Sequence, residues 1–96
     1  GCKLQHREGE LYGENLAWST RIEPTPEQVV AKWGQEAAFY DYAANTCAIG
    51  QNCAHYTQMV WRSTMAVGCA KARCDKGEVW VCNYDPPGNW VGEWPY

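Results

Sequence analysis

The 96-residue sequence predicts an α+β fold in which helices pack on an antiparallel hairpin and disulfides staple the whole. Three observations carry that reading. A capped helical segment follows Thr25, two strand-like runs flank Asp75-Lys76-Gly77, and six cysteines crowd one short chain. A chain of this length supports one hydrophobic core, so residues 1–96 are read as a single domain ending in an irregular tail at 86–96.

The helix has the clearest start. Thr25 can accept the backbone N–H of Gln28, Gln28 can reach back to Thr25, and Pro26 sits where its missing N–H costs nothing. Val29, Val30, Trp33, Ala37 and Tyr40 then recur at helical spacing, which predicts a helix over 26–42. Gly34 inside it costs up to about 1 kcal/mol relative to alanine and hints at close packing. Residues 1–24 mix Gly9, Gly13 and Pro24 with charges and read as loop, with one short helical turn at 14–18. Residues 45–52 also read as loop, while His55, Gln58, Met59 and Arg62 share a face that predicts a short helix. Residues 65–74 and 78–84 read as two strands of a hairpin. Pro86-Pro87-Gly88 excludes a central strand or helix beyond it.

The cysteines form no C-x-x-C pair, so zinc-ribbon and thioredoxin readings are poor and a disulfide framework of an extracellular protein is expected. With the turn centred on Asp75 and Lys76, Cys69 faces Cys82, opposed positions lying about 4.5–5.5 Å apart at Cα. A slip of one residue would break that pairing. Cys47 and Cys53 enclose a short loop, which leaves Cys2 for Cys74.

Hydrophobic residues at 46% and charged ones at 20% exclude a long disordered polymer. Eight Lys and Arg against eleven Asp and Glu, a net charge of −3, argue against nucleic-acid binding. No apolar run reaches the roughly 20 residues of a transmembrane helix. No N-x-[ST] sequon occurs, since Asn45-Thr46 is followed by Cys47. The chain opens on Gly1 without a signal-peptide pattern, so an upstream targeting segment is expected to have been removed.

Three segments carry a family resemblance. Gly13-Glu14-Asn15-Leu16-Ala17, His55-Tyr56-Thr57-Gln58-Met59-Val60-Trp61, and Cys82-Asn83-Tyr84-Asp85-Pro86 through Gly88-Asn89 together resemble the signatures of the CAP superfamily. That superfamily holds cysteine-rich secretory proteins, antigen 5 and pathogenesis-related class one proteins. The six cysteines, Asn45-Thr46-Cys47 and the terminal Pro95-Tyr96 are most similar to the plant pathogenesis-related branch. The resemblance implies an α-β-α sandwich with an antiparallel sheet. It also implies a family N-terminal helix and strand ahead of Cys2 that this chain lacks, so a fragment, a processed form or an incompletely determined chain is expected. Ala54 stands where the family usually has glycine, adding one methyl near the site and removing no ligand.

In this family two histidines and two glutamates line a central cleft, and the resemblance places His6, Glu14, Glu36 and His55 at those positions. Neutral imidazoles with a carboxylate suit zinc or another divalent cation, which the fold itself does not require. The alternative is a hydrogen-bonded clamp that joins the N-terminal loop to the core, and both readings stand. Glu36 lies on the apolar helix face and needs a partner there, because unpaired buried charge is costly. Ser19 and Ser63 lack any nucleophile signature and no G-x-S-x-G elbow exists.

Trp33, Phe39, Tyr40 and Tyr42 are most simply core. The resemblance adds sterol or small-lipid binding, placed at Phe39, Tyr40 and Tyr42 beside the Cys47–Cys53 loop. The overall expectation is a secreted defence protein, in apoplast or vacuole if from a plant, binding a sterol or a pathogen membrane component without being an enzyme. The alternative is a metal-dependent hydrolase using the His/Glu cleft. The tail after Asp85–Pro86 resembles a peptide that plant members release as a signal, with packing of Trp90 and Trp94 onto the core as the simpler role.

Overall fold

The computed structural model describes residues 12–20 and 24–96; Cys2 and His6 lie outside them. The element order is β1 (Gly13–Ser19), α1 (Pro26–Gly34), a 3-10 turn (Gln35–Phe39), β2 (Tyr40–Asp41), β3 (Thr46–Cys47), α2 (Ala54–Met59), β4 (Ala66–Cys74) and β5 (Gly77–Asp85). β5 is the central strand of an antiparallel sheet ordered β1-β5-β4, and β2 pairs with β3 in a small second ribbon.

β4 and β5 form the expected hairpin. Cys74 opposes Gly77 across the two-residue turn, which sets Cys69 opposite Cys82. Those cysteines are bonded with Cα atoms 4.1 Å apart, and Cys47 is bonded to Cys53. Cys74 is also in a disulfide. The expected partner Cys2 is outside the described residues.

β1 corrects the sequence reading, which gave loop and a helical turn at 14–18. Glu14, Leu16 and Ala17 favour helix locally, but all seven residues of the segment pair with β5, from Gly13 opposite Tyr84 to Ser19 opposite Glu78. The ladder outweighs a local preference worth tenths of a kcal/mol per residue.

α1 begins as expected, with Thr25 and Gln28 in a reciprocal capping box. It does not run to residue 42. After Gly34 the backbone tightens into the 3-10 turn, and Tyr40 and Asp41 leave as strand to pair with Cys47 and Thr46. A glycine weakens the helix there, and the ribbon beside the Cys47–Cys53 bridge captures the residues beyond it.

The core lies between α1, α2 and one face of β5. Val29, Trp33, Trp80, Cys82 and Tyr84 are buried together, with Ala17 and Met59 packed against them. Alternation along β5 sends Glu78, Trp80, Cys82 and Tyr84 to this face. Of the four aromatic residues expected in the core, only Trp33 is fully buried. Phe39 and Tyr42 remain 42% and 45% exposed, because the chain turns away from the sheet after Gly34. Val30 is exposed as well.

Non-reducing peptide mapping is expected to recover the Cys47–Cys53 and Cys69–Cys82 links. Replacing Cys69 and Cys82 together by alanine should lower stability in urea unfolding by about 2–4 kcal/mol. Unchanged stability would show that the strand ladder alone holds β4.

Candidate functional site

Glu36 and His55 meet at the junction of the 3-10 turn and α2. His55 Nδ1 lies 2.7 Å from Glu36 Oε2, while Glu36 Oε1 accepts the Tyr56 backbone N–H at 3.1 Å. An ionised carboxylate only accepts, so Nδ1 carries a proton, and the neutral imidazole in this geometry has its lone pair on Nε2. The imidazole is also stacked on the Trp33 indole, with ring centroids 5.7 Å apart and planes within 5°. Trp33 in the last turn of α1 and Glu36 in the 3-10 turn are three residues apart, a spacing that keeps side chains on one side in either kind of helix.

Of the four expected cleft residues, these two are in contact. Glu14 sits in β1 between Gly13 and Asn15, is half-buried and is not free. His6 lies outside the described residues. Among the described residues, no group of three or more His, Cys, Asp or Glu side chains is arranged to hold a metal ion.

A buried amide network runs beside the pair. Asn15 Nδ2 donates to the His55 carbonyl at 3.0 Å and to the Tyr84 hydroxyl at 3.2 Å. Gln58, 1% exposed, accepts the Gly88 N–H at 3.0 Å and donates to Thr64 Oγ1. Thr64 in turn donates to the Pro86 carbonyl. Two glycines make room for this. A Cβ on Gly13 would lie 2.0 Å from Gln58 Oε1, and one on Gly88 would lie 2.5 Å from Trp61 Cγ. Asn15, Gln58, Tyr84 and Gly88 all fall inside the three sequence signatures, yet residue spacing alone did not single them out as one network.

The tail is tied down by side chains instead of regular structure. Asn89 accepts from Thr57 Oγ1 and donates to the Ala54 carbonyl. Asn45 accepts from the Tyr40 hydroxyl at 2.6 Å and donates to the Glu93 carbonyl. The Arg62 N–H donates to the Pro95 carbonyl at 2.7 Å, and Trp94 Nε1 donates to the Tyr42 carbonyl. Pro95 is the buried anchor. Trp90 and Trp94, expected to pack the tail down, stay about half exposed because each indole N–H is held by a carbonyl at the surface.

Tail and ribbon border an open cleft of about 400 Å³, walled by Tyr40, the Cys47–Cys53 bridge, Trp61, Trp90 and Pro95. Of the three residues expected to bind lipid, Tyr40 lines this cleft; Phe39 and Tyr42 do not. Ala54 lines it too.

The model of the cysteine-rich secretory protein family matches residues 4–84. The chain belongs to that family. It is 50% identical over 97 residues to the pathogenesis-related protein PR-1 of Medicago truncatula, covering 99% of this chain and 56% of the relative. The fold is similar to venom allergen-like protein 4 of Schistosoma mansoni, with a TM-score of 0.79 and 33% identity over 99% of this chain and 61% of that one. It is also similar to NaASP2, crystallised with Zn2+, with a TM-score of 0.74 and 27% identity over 99% of this chain and 56% of that one. The chain thus spans about half the length of the curated relatives it matches. Among the described residues, no helix of this CAP chain is long and apolar enough to cross a membrane.

Tyr56 offers a direct check on the tail. Its hydroxyl is 2.9 Å from the Tyr96 hydroxyl, and that hydrogen bond, with burial and the neighbouring Tyr96 and Tyr40 adding to it, pushes its pKa up to about 12. A raised folded pKa favours the protonated form. The stabilisation is therefore complete below the unfolded value near 10 and is lost as pH rises toward about 12. Tyrosinate absorbance is expected to show Tyr56 among the late-ionising tyrosines, with Tyr40 and Tyr84 also raised, and to show one of them moving toward 10 in Tyr96→Phe. An unchanged titration in that variant would mean that Tyr96 does not dock.

Proposed function

We propose that this chain acts as a secreted defence protein, in apoplast or vacuole if from a plant, working by binding a sterol or related small lipid and not by catalysis. The cleft walled by Tyr40, Trp61, Trp90 and Pro95 carries this reading, because those apolar walls, set among polar side chains such as Asn45, Gln51 and Asn52, suit a small lipid that also carries a polar group. Relatives named as pathogenesis-related proteins support the defence setting. Withdrawing a sterol from a pathogen's membrane is the corresponding mode of action. In a fluorescent-sterol titration, Trp90→Ala should weaken binding roughly tenfold, the scale of about 1–2 kcal/mol of lost apolar contact. Affinity that falls with His55→Ala but not with Trp90→Ala would overturn this placement.

A second reading is favoured by the Glu36–His55 geometry. Glu36 orients the imidazole and leaves Nε2 available, the arrangement that second-shell carboxylates give metal-ligating histidines. A divalent cation would then take His55 Nε2, with His6 and Glu14 as further donors and Glu36 as the orienting group. Such a cation supplies Lewis acidity and an activated water, the basis of the hydrolase alternative. NaASP2, a structural relative, was crystallised with Zn2+. Calorimetric zinc binding should disappear in the His6→Ala, His55→Ala double variant and weaken in the wild type in acid, since protonated imidazole cannot ligate. Binding unaltered in the double variant would eliminate this site, and metal-dependent turnover lost in His55→Ala would favour the enzyme.

Release of residues 86–96 as a C-terminal signalling peptide after cleavage at Asp85–Pro86 belongs to the same proposal. The tail contacts imply that cutting this bond leaves the peptide docked until those hydrogen bonds also break.

A further inference from the structure

The Tyr42 and Tyr96 rings stack with centroids 4.8 Å apart and planes 16° from parallel. The Tyr42 hydroxyl donates to the Tyr96 carbonyl, so backbone and ring are held together. Both residues are nearly half exposed, at 45% and 47%, and a surface oxidant can reach either phenol. The Tyr56 hydroxyl, 2.9 Å from that of Tyr96, holds the Tyr96 ring at its outer end beside Tyr42. Other tyrosines lack this combination. Tyr84 is buried, and Tyr40 and Tyr56 are tilted by 50° with centroids 5.9 Å apart.

We propose that Tyr42 and Tyr96 are an oxidative cross-linking site, coupled by hydrogen peroxide and a haem peroxidase into an intramolecular dityrosine. Each phenol loses one electron and its hydroxyl proton, giving two phenoxyl radicals held in contact. A carbon–carbon bond forms between the ring carbons ortho to each oxygen. The two ortho hydrogens shift to the oxygens and restore both aromatic rings. The two electrons and two protons reduce one hydrogen peroxide to two waters. Side-chain rotation of the exposed Tyr96 turns the stack into the joined biaryl. The product staples residue 96 to residue 42, so the tail stays attached even after a cut at Asp85–Pro86. Oxidation then opposes release of the peptide.

The test treats the 96-residue chain with a haem peroxidase and stoichiometric hydrogen peroxide, and isolates the monomer. Dityrosine fluorescence is expected there, with a mass loss of two hydrogen atoms. A reduced tryptic digest should join the peptide containing Tyr42 to the one containing Tyr96, with fragment spectra assigning both rings. Tyr42→Phe and Tyr96→Phe, which keep the ring stack, should each lose the monomer signal, with folding checked by circular dichroism. Tyr12→Phe, at an exposed tyrosine outside the stack, should retain it. Dityrosine only in covalent dimers, survival of the monomer signal in Tyr42→Phe, or a link mapped to another pair would each overturn the proposal.

Discussion

The structure depends on one buried side chain. Gln58 is almost wholly removed from water, yet its amide must be satisfied, because a buried amide without partners costs about 1–3 kcal/mol. It finds the Gly88 N–H and Thr64 Oγ1, and each partner belongs to a segment without regular structure. Gly13 has to lack a side chain for the amide to fit, so the start of β1 is constrained by the same group. One glutamine in α2 thereby fixes where the first strand enters the sheet and where the chain leaves it. Asn15 repeats the device one turn away, joining β1 to the α2 backbone and to Tyr84 of β5.

That arrangement explains which parts of the fold were legible in the sequence. The β4–β5 hairpin and the start of α1 rest on contacts within a few residues, and turn position and capping residues reveal them directly. β1 rests on pairing with residues 59 to 71 positions further along the chain, so its helix-favouring Glu14, Leu16 and Ala17 pointed elsewhere. The end of α1 was hidden for a similar reason. Tyr40 keeps the helical spacing, but its backbone is claimed by Cys47 across the small ribbon. The candidate site was visible as motifs and invisible as geometry. The signatures contain Asn15, Gln58 and Gly88 without revealing that the three regions meet.

Glu36 shows how a clamp and a ligand-orienting device can be one object. Its two oxygens accept from the His55 ring and from the backbone N–H of Tyr56, so the partly buried carboxylate is paired on both sides. The same bonds fix the imidazole tautomer, and the Trp33 stack fixes the ring plane. Preorganised in this way, His55 needs no further ordering to accept a ligand at Nε2, and it also holds α2 against the 3-10 turn. The structural role persists whether or not anything binds.

The tail reverses the usual relation between order and regular structure. Prolines and glycines deny it helix or strand, and it is held by amides of Asn45 and Asn89, both in left-handed backbone conformation that asparagine tolerates better than most residues. Trp90 and Pro95 of this tail form walls of the cleft, so the cleft exists only while the tail is docked. A ligand that touches those walls binds the docked state alone and stabilises it by RT ln(1 + [L]/Kd). Occupancy of the cleft and retention of the tail are therefore thermodynamically linked, and whatever fills the first raises the cost of detaching the second by the same free energy.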